Sequence, residues 1–512
     1  MPAARTVITA TLTAHSGSAP VTLYFADQAY TSGATDSPAH TFYDHRLIQA
    51  GNIARNLFDT RTTFGNTQVG YGEIVIANDD GAMDVYLSYG FAGFAIAIRR
   101  LTISDAGTSS AVLLTGVMDS ADFSWADVRI KVRDGQQILA NPLQSARYGG
   151  TNVSPSGLDG TANDIKGKPI PVLYGSVQGI SPPLVNTWRR VYQVADAQVN
   201  ISAVYDRGVA LTAGAAYASS AALLDLAQAP AAGQYRVWAT ASGTYVRVGS
   251  VPTGTLTVDA LQAGSTTPAA LMQAVAARAS LAFASADIAA LAAAAPYAAG
   301  VWINDDASSV AVLDMLANSV GAWWGQDKTG AYRCAQVRAP QAASAVATLG
   351  TVSILSIERS RSADAGGGIP AWQLTLDYAR IYTPQPDLAA SVPDDYRAAR
   401  AQAWRSAIAN DAAVKTQWPK AQELRLQTYL ITESHAQAEA ARRLALYKVR
   451  RDTLTVRCRL DALSDAEFAA IDIGATVLLA LPRFGMAAGK AFVITGVRVD
   501  LRVQEYELTL WG

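Results

Sequence analysis

The sequence predicts a mainly β, multi-domain protein with α+β parts: small β-barrel domains plus one compact α+β domain. Three observations carry this. Residues 454–512 alternate apolar and polar side chains, through 454–460, the run 476–481, a Phe484-Gly485-Met486 turn, and then 497–503 and 506–511. Period-two alternation leaves one face on a core and the other on solvent or a partner. Helical spacing is confined to a few short stretches. Finally, 512 residues exceed what a single core organises.

Residues 1–140 read as a barrel or sandwich. An alternating strand starts at Val7, and short apolar runs follow at 21–25, 73–77, 85–87, 95–101, 111–117 and 128–132. Asn78-Asp79-Asp80-Gly81 is a hairpin-type turn signal, because Asn, Asp and Gly accept positive φ. Residues 141–190 read as a connector: a Gly/Ser/Asn-rich arm at 148–163, then a strand entered through Pro169 and Pro171. Proline cannot donate to a ladder, which predicts a strand that starts at a sheet edge.

Residues 191–263 read as a β-rich insertion, with a hairpin across 239–244. Residues 264–345 read as the α+β domain. There Thr267-Pro268 is an N-cap followed by proline, a second helix buries Val312, Leu313, Leu316 and Val320, and a strand–turn–strand runs through Trp323-Trp324 and Tyr332. Residues 346–453 hold a strand, a long irregular arm at 384–393 and a helix over 432–449 with Ala440, Leu444 and Tyr447 on one face. Residues 454–512 form the last barrel.

Composition narrows the function. A net charge of −1 does not suit bulk phosphate binding. No uninterrupted apolar run is long enough for a membrane helix, and no secretion signal opens the chain. Only 16% of residues are charged, and weakly charged surface is suited to burial in an assembly. Cys334 and Cys458 are too few for a disulfide scaffold or a four-thiolate site; Cys458 reads as a core residue. His40 and His45, five apart, share neither a helix face nor a strand face, and His15 and His435 stand alone.

No nucleophile elbow, phosphate loop, dinucleotide fingerprint or zinc helix occurs. The reading is therefore a non-enzyme: no catalytic residue, no cofactor and no metal ligand is assigned. Trp188, Arg442, Arg443, Arg450 and Arg451 are the candidate oligomer or partner contacts, since large aromatics and arginine are enriched at interfaces.

Four passages resemble bacteriophage tail-tip or baseplate hub proteins. They are residues 72–84 (Gly-Glu-Ile-Val-Ile-Ala-Asn-Asp-Asp-Gly-Ala-Met-Asp), 166–175 with 181–185, 310–330, and the ending 474–481, Phe484-Gly485 and 508–512. The resemblance implies a phage tail hub-like fold and a structural virion protein at the tail tip, assembled in the host cytoplasm. Copies would form a homotrimer ring around the path of DNA and tape-measure protein. That ring would join the distal tail protein to the tip or central fibre proteins, with no sequence-specific nucleic acid contact and no membrane anchor. Some members hold an iron–sulfur cluster on several cysteines, which this chain lacks. Two alternatives remain. One is a receptor- or glycan-binding module using Tyr217, Tyr235 or Trp238. The other is a cell-envelope polymer hydrolase with two convergent carboxylates in a cleft.

Overall fold

The computed structural model describes residues 5–512 except 59–61, 69, 105–106, 363, 365–367, 502 and 504, with backbone alone at 137 and 461. The chain divides into two units. The first comprises Met1–Ile138, Trp323–Pro370 and Val449–Gly512, and the second Leu139–Ala322 and Ala371–Lys448.

The first unit is organised by one large sheet. Arg5–His15 lies between Pro20–Ala26 and Ala95–Ser104; the order then runs Gly107–Phe123, Asp127–Arg133, Tyr71–Ala77 and Asn52–Asn56. Asn52–Asn56 pairs with Lys490–Asp500, and this joins the N-terminal strands to Glu505–Trp511, Asp452–Arg459 and finally Ile354–Arg361. Alternation decides the faces as expected: Leu454, Val456, Cys458, Leu508 and Leu510 are buried, while Thr455, Thr509 and Glu507 point the other way.

The mainly β, multi-domain class is what the molecule has. Barrel closure is not. Among the described strands the path is open, ending at Pro20–Ala26 and at Ile354–Arg361. Asn52–Asn56 spends its pairing on Lys490–Asp500, so the N-terminal and C-terminal strands merge into one sheet. Gly496 sits at that junction, opposite both Asn56 and Thr509. A Cβ there would lie 2.2 Å from Asn56 Oδ1 and 3.2 Å from Thr509 Cβ.

The second unit contains two five-stranded sheets. One has the order Val209–Ala210, Asn200–Asp206, Leu256–Leu261, Val172–Ile180, Gly300–Ile303. The other has the order Leu184–Asn186, Val191–Ala195, Gly243–Val248, Gln234–Thr240, Thr212–Ala213. Val177, Ile180, Val204 and Val258 of the first share a core with Val194, Tyr235, Val246 and Val248 of the second. The helix Pro268–Arg278 is capped by the Thr267 side chain, which accepts from Ala270 N–H, and Ser309–Ser319 is capped likewise by Ser308. A three-stranded sheet with Ala371–Tyr378 at its centre packs against Glu433–Tyr447.

Four local expectations change. Val172–Ile180 is an interior strand, because both prolines precede it and cost its ladder no donor. The Asn78–Gly81 turn does not close a hairpin: Tyr71–Ala77 pairs with Asp127–Arg133, and residues 85–87 lie at a short exposed 3-10 turn, Asp84–Tyr86. A further helix, Ser285–Ala294, to which the sequence reading gave no element of its own, lies in an alanine-rich stretch; alanine favours it without any apolar periodicity to reveal it. The Gly/Ser/Asn-rich arm contains a small hairpin, Thr151–Val153 with Ser156–Thr161.

Candidate functional site

The 72–84 passage has a clear local role. Asn78 is buried at the end of Tyr71–Ala77. Its Nδ2 donates to Asp84 Oδ1 (2.9 Å) and to the Ser124 carbonyl (3.3 Å), and its Oδ1 accepts from Met83 N–H (2.9 Å). Its own N–H donates to the Ala126 carbonyl. One amide thus ties the 78–87 turn to the tip of the hairpin between Gly107–Phe123 and Asp127–Arg133. Arg46 braces the same turn from the other side, forking onto Asp80 at 2.8 and 2.6 Å while its Nε reaches Asp44. The construction displays Val85, Leu87 and Trp125, the last 93% exposed.

At the far end of the same unit, Ile354–Arg361 is an edge strand. It pairs with Asp452–Arg459 on one side; only Ile354 and Ile357 are half-buried and the rest are exposed. Such an edge is a template for another chain unless it is covered or charged. Beside it lies a polar cleft of about 450 Å³ lined by Asn56, Gln68, Glu358, Thr455, Glu507 and Thr509, among others. Register explains the lining. Asn56 and Thr509 both oppose Gly496, Thr509 opposes Thr455, and Thr455 opposes Glu358, so these side chains stand in a row on one face.

The inner wall of the cleft is fixed by Trp511. Its indole N–H donates to Asp364 Oδ2 at 2.8 Å, and Asp364 also accepts from the Thr63 hydroxyl at 2.9 Å. The Arg451 guanidinium lies 5.0 Å from the centre of the Trp511 ring, where burial pushes its pKa down despite the Asp364 charge. Arg450 is exposed and 3.6 Å from Asp452.

Among the predicted contact residues, Arg442 and Arg443 sit in the second unit and turn inward. Glu439 Oε1 accepts from Arg443 Nε at 2.7 Å and from Arg442 Nη2 at 2.6 Å. Glu439 is fully buried and Arg443 is 1% exposed, so Arg443 has no surface to offer a partner. It pairs with Glu439 instead, because i and i+4 meet on one helix face. Arg442 keeps partial exposure and Trp188 is 38% exposed.

Both arms are tied to their own unit. Asn152 donates to the Val185 carbonyl, and Asn186 donates to those of Pro155 and Gly157. Leu388 is buried, Asp387 pairs with Arg207, and Gln385 donates to the Thr255 carbonyl. Tyr217 and Tyr235 are buried and offer no open stacking platform, while Trp238 is half-buried and stacks on Tyr245 at 5.2 Å. His435 also packs, accepting from Ala298 N–H against the Tyr297 ring. Cys334 and Cys458 are buried thiols, and burial pushes Cys458 up to about 12. Among the described residues, none of the His, Cys, Asp and Glu side chains gather into a metal-binding group, and no helix is long and apolar enough to cross a membrane.

No protein-family model and no curated protein matches the chain. Solved structures similar to it include the 43 kDa tail protein of prophage MuSo2 from Shewanella oneidensis, at 9% identity over 99% of this chain and 98% of that one, TM-score 0.41. A tail protein from Neisseria meningitidis MC58 is similar at 10% identity over 99% and 96%, TM-score 0.40. A chain of the native gene transfer agent virion is similar at 14% identity over 74% and 92%, TM-score 0.41.

Proposed function

We propose that this chain is a structural protein of a phage tail whose copies pack side by side into a ring at the tail tip, as a hub. The observation that carries the reading is the free edge Ile354–Arg361. It ends a sheet that runs through the first unit to Pro20–Ala26, a strand that begins with proline and whose outer edge is partly taken by backbone bonds to Asp44. A second copy offering its own edge would satisfy the unpaired backbone groups, and closed symmetry would leave none over. The 72–84 passage supports the same reading, since its buried Asn78 braces a turn and hairpin tip that carry the exposed Val85, Leu87 and Trp125.

Three copies, the distal tail and tape-measure proteins as neighbours, and assembly before release from the host belong to this proposal. So do the division into six segments at 140, 190, 263, 345 and 453, and contact roles for Trp188, Arg450 and Arg451. No side chain is given a reaction. Multi-angle light scattering of the purified protein, followed by class averages of the particles, tests it. Rings of defined copy number support the hub; a monomer at all concentrations refutes it.

A further inference from the structure

The second unit holds a cluster of arginines without carboxylate partners. Arg236 and Arg247 are directly opposed on neighbouring strands, so both guanidinium groups stand on the same face, where like charges repel. Arg247 is fully buried. Its Nη1 donates to the carbonyls of Leu223 (2.6 Å) and Asp225 (2.7 Å), while its Nε and Nη2 make no hydrogen bond of full geometry, the neutral Tyr217 hydroxyl being a side-chain neighbour of this guanidinium. Arg189 Nε reaches the intervening Leu224 carbonyl at 2.7 Å, which places it beside Arg247.

Arg190 donates to the carbonyls of Val248 and Gly249, and Arg236 to those of Ala215 and Gln228, with its guanidinium 4.0 Å above the Tyr217 ring. The nearby acids are committed elsewhere. Asp225 accepts from Ala227 N–H and Gln228, Asp206 from Thr253 and Gly254, and Asp196 from Arg278. None of the four arginines makes an ion pair among the described residues.

Backbone carbonyls orient these groups but do not cancel four positive charges. Buried N–H groups without acceptors are costly and rare. Arg189 and Arg190 are half-exposed, so the cluster runs from solvent to the buried guanidinium, with the exposed indole of Trp188 next in the chain. We propose that Arg189, Arg190, Arg236 and Arg247 form a binding site for an oxyanion of the carboxylate or phosphate class. Its oxygens would accept from Arg247 Nε and Nη2, and its charge would relieve the Arg236–Arg247 repulsion. Guanidinium forks suit both oxyanions. The ligand's source is a phosphate group or the carboxylate of an acidic saccharide.

The test is thermal unfolding and calorimetric titration of the full chain with sodium phosphate and, separately, with galacturonate oligomers, each against sodium chloride of equal ionic strength. The site predicts a rise in the unfolding midpoint with at least one ligand beyond chloride. Arg189→Gln and Arg236→Gln, both at half-exposed positions that leave Arg247 in place, should weaken its binding at least about tenfold. A response to phosphate alone identifies a phosphate group, and a response to galacturonate identifies a saccharide carboxylate. No midpoint shift beyond chloride with either ligand would overturn the site. So would folded variants that titrate like the parent, as purely structural arginines would.

Discussion

The two units differ in how they fasten their exposed segments. In the second, the segments that read as loose arms are fastened by side-chain bonds to carbonyls, and the charged helix residues Glu439 and Arg443 fold into the interior. In the first, the sheet stops at a strand whose residues are mostly exposed, and a buried asparagine holds Trp125, Val85 and Leu87 out in solvent. The second unit fastens its arms and its charged helix residues, although it too exposes Val153, Leu226 and Val251. The first ends its long sheet on the exposed strand Ile354–Arg361, and the proposed assembly rests on that strand.

The sharpest way to break the contrast is to damage the inward charge. Glu439→Ala should cost the second unit about 3–5 kcal/mol, because Arg443 would remain buried without its counter-charge. Denaturant unfolding with hydrogen exchange reads the loss, which should fall within residues 139–322 and 371–448. Next comes Gly496→Val. Its side chain would drive into Asn56 and Thr509 and destabilise the first unit by about 1–3 kcal/mol, again by denaturant midpoint.

pH should move the units in opposite directions. Burial is the largest influence on Asp134 of the first unit and pushes it up to about 6 from 3.8. Its stabilising contribution is therefore complete below pH 3.8 and is lost as pH rises through about 6. At Glu439 burial raises the pKa, but Arg443 and Arg442 outweigh it and the carboxyl ends below 4.5. That contribution is present above pH 4.5 and is lost as pH falls through the folded value. Segment-resolved hydrogen exchange between pH 3 and pH 7, at matched ionic strength and corrected for intrinsic exchange rates, should show the two trends with opposite sign. Parallel trends would contradict the assignment. The smallest effect on folding belongs to the edge: Leu355→Lys, at an exposed position, should change stability by no more than about 0.5 kcal/mol.

Much of the first unit was legible because alternation reports faces directly. The strands around Val456, Leu479 and Leu508 lie where period two puts them, while the stretch expected at 497–503 belongs to the earlier and longer strand Lys490–Asp500. Sheet partners were not legible, since alternation says which side is buried and nothing about which strand lies alongside. Hence barrels were expected where Asn52–Asn56 and Lys490–Asp500 instead join two sets of strands. The caps at Thr267 and Ser308 were readable from residue type, while Ser285–Ala294 had no pattern to announce it. Arginine doublets are ambiguous for a similar reason. Only the fold shows that Arg443 faces Glu439, and the opposition of Arg236 and Arg247 depends on a register that spacing does not encode.

Light scattering on the parent chain and on Leu355→Lys tests the assembly claim most directly. A multimer for the parent and a folded monomer for the variant is the expected result, because lysine on an edge strand blocks pairing. A monomeric parent, or a variant that assembles as the parent does, would contradict it.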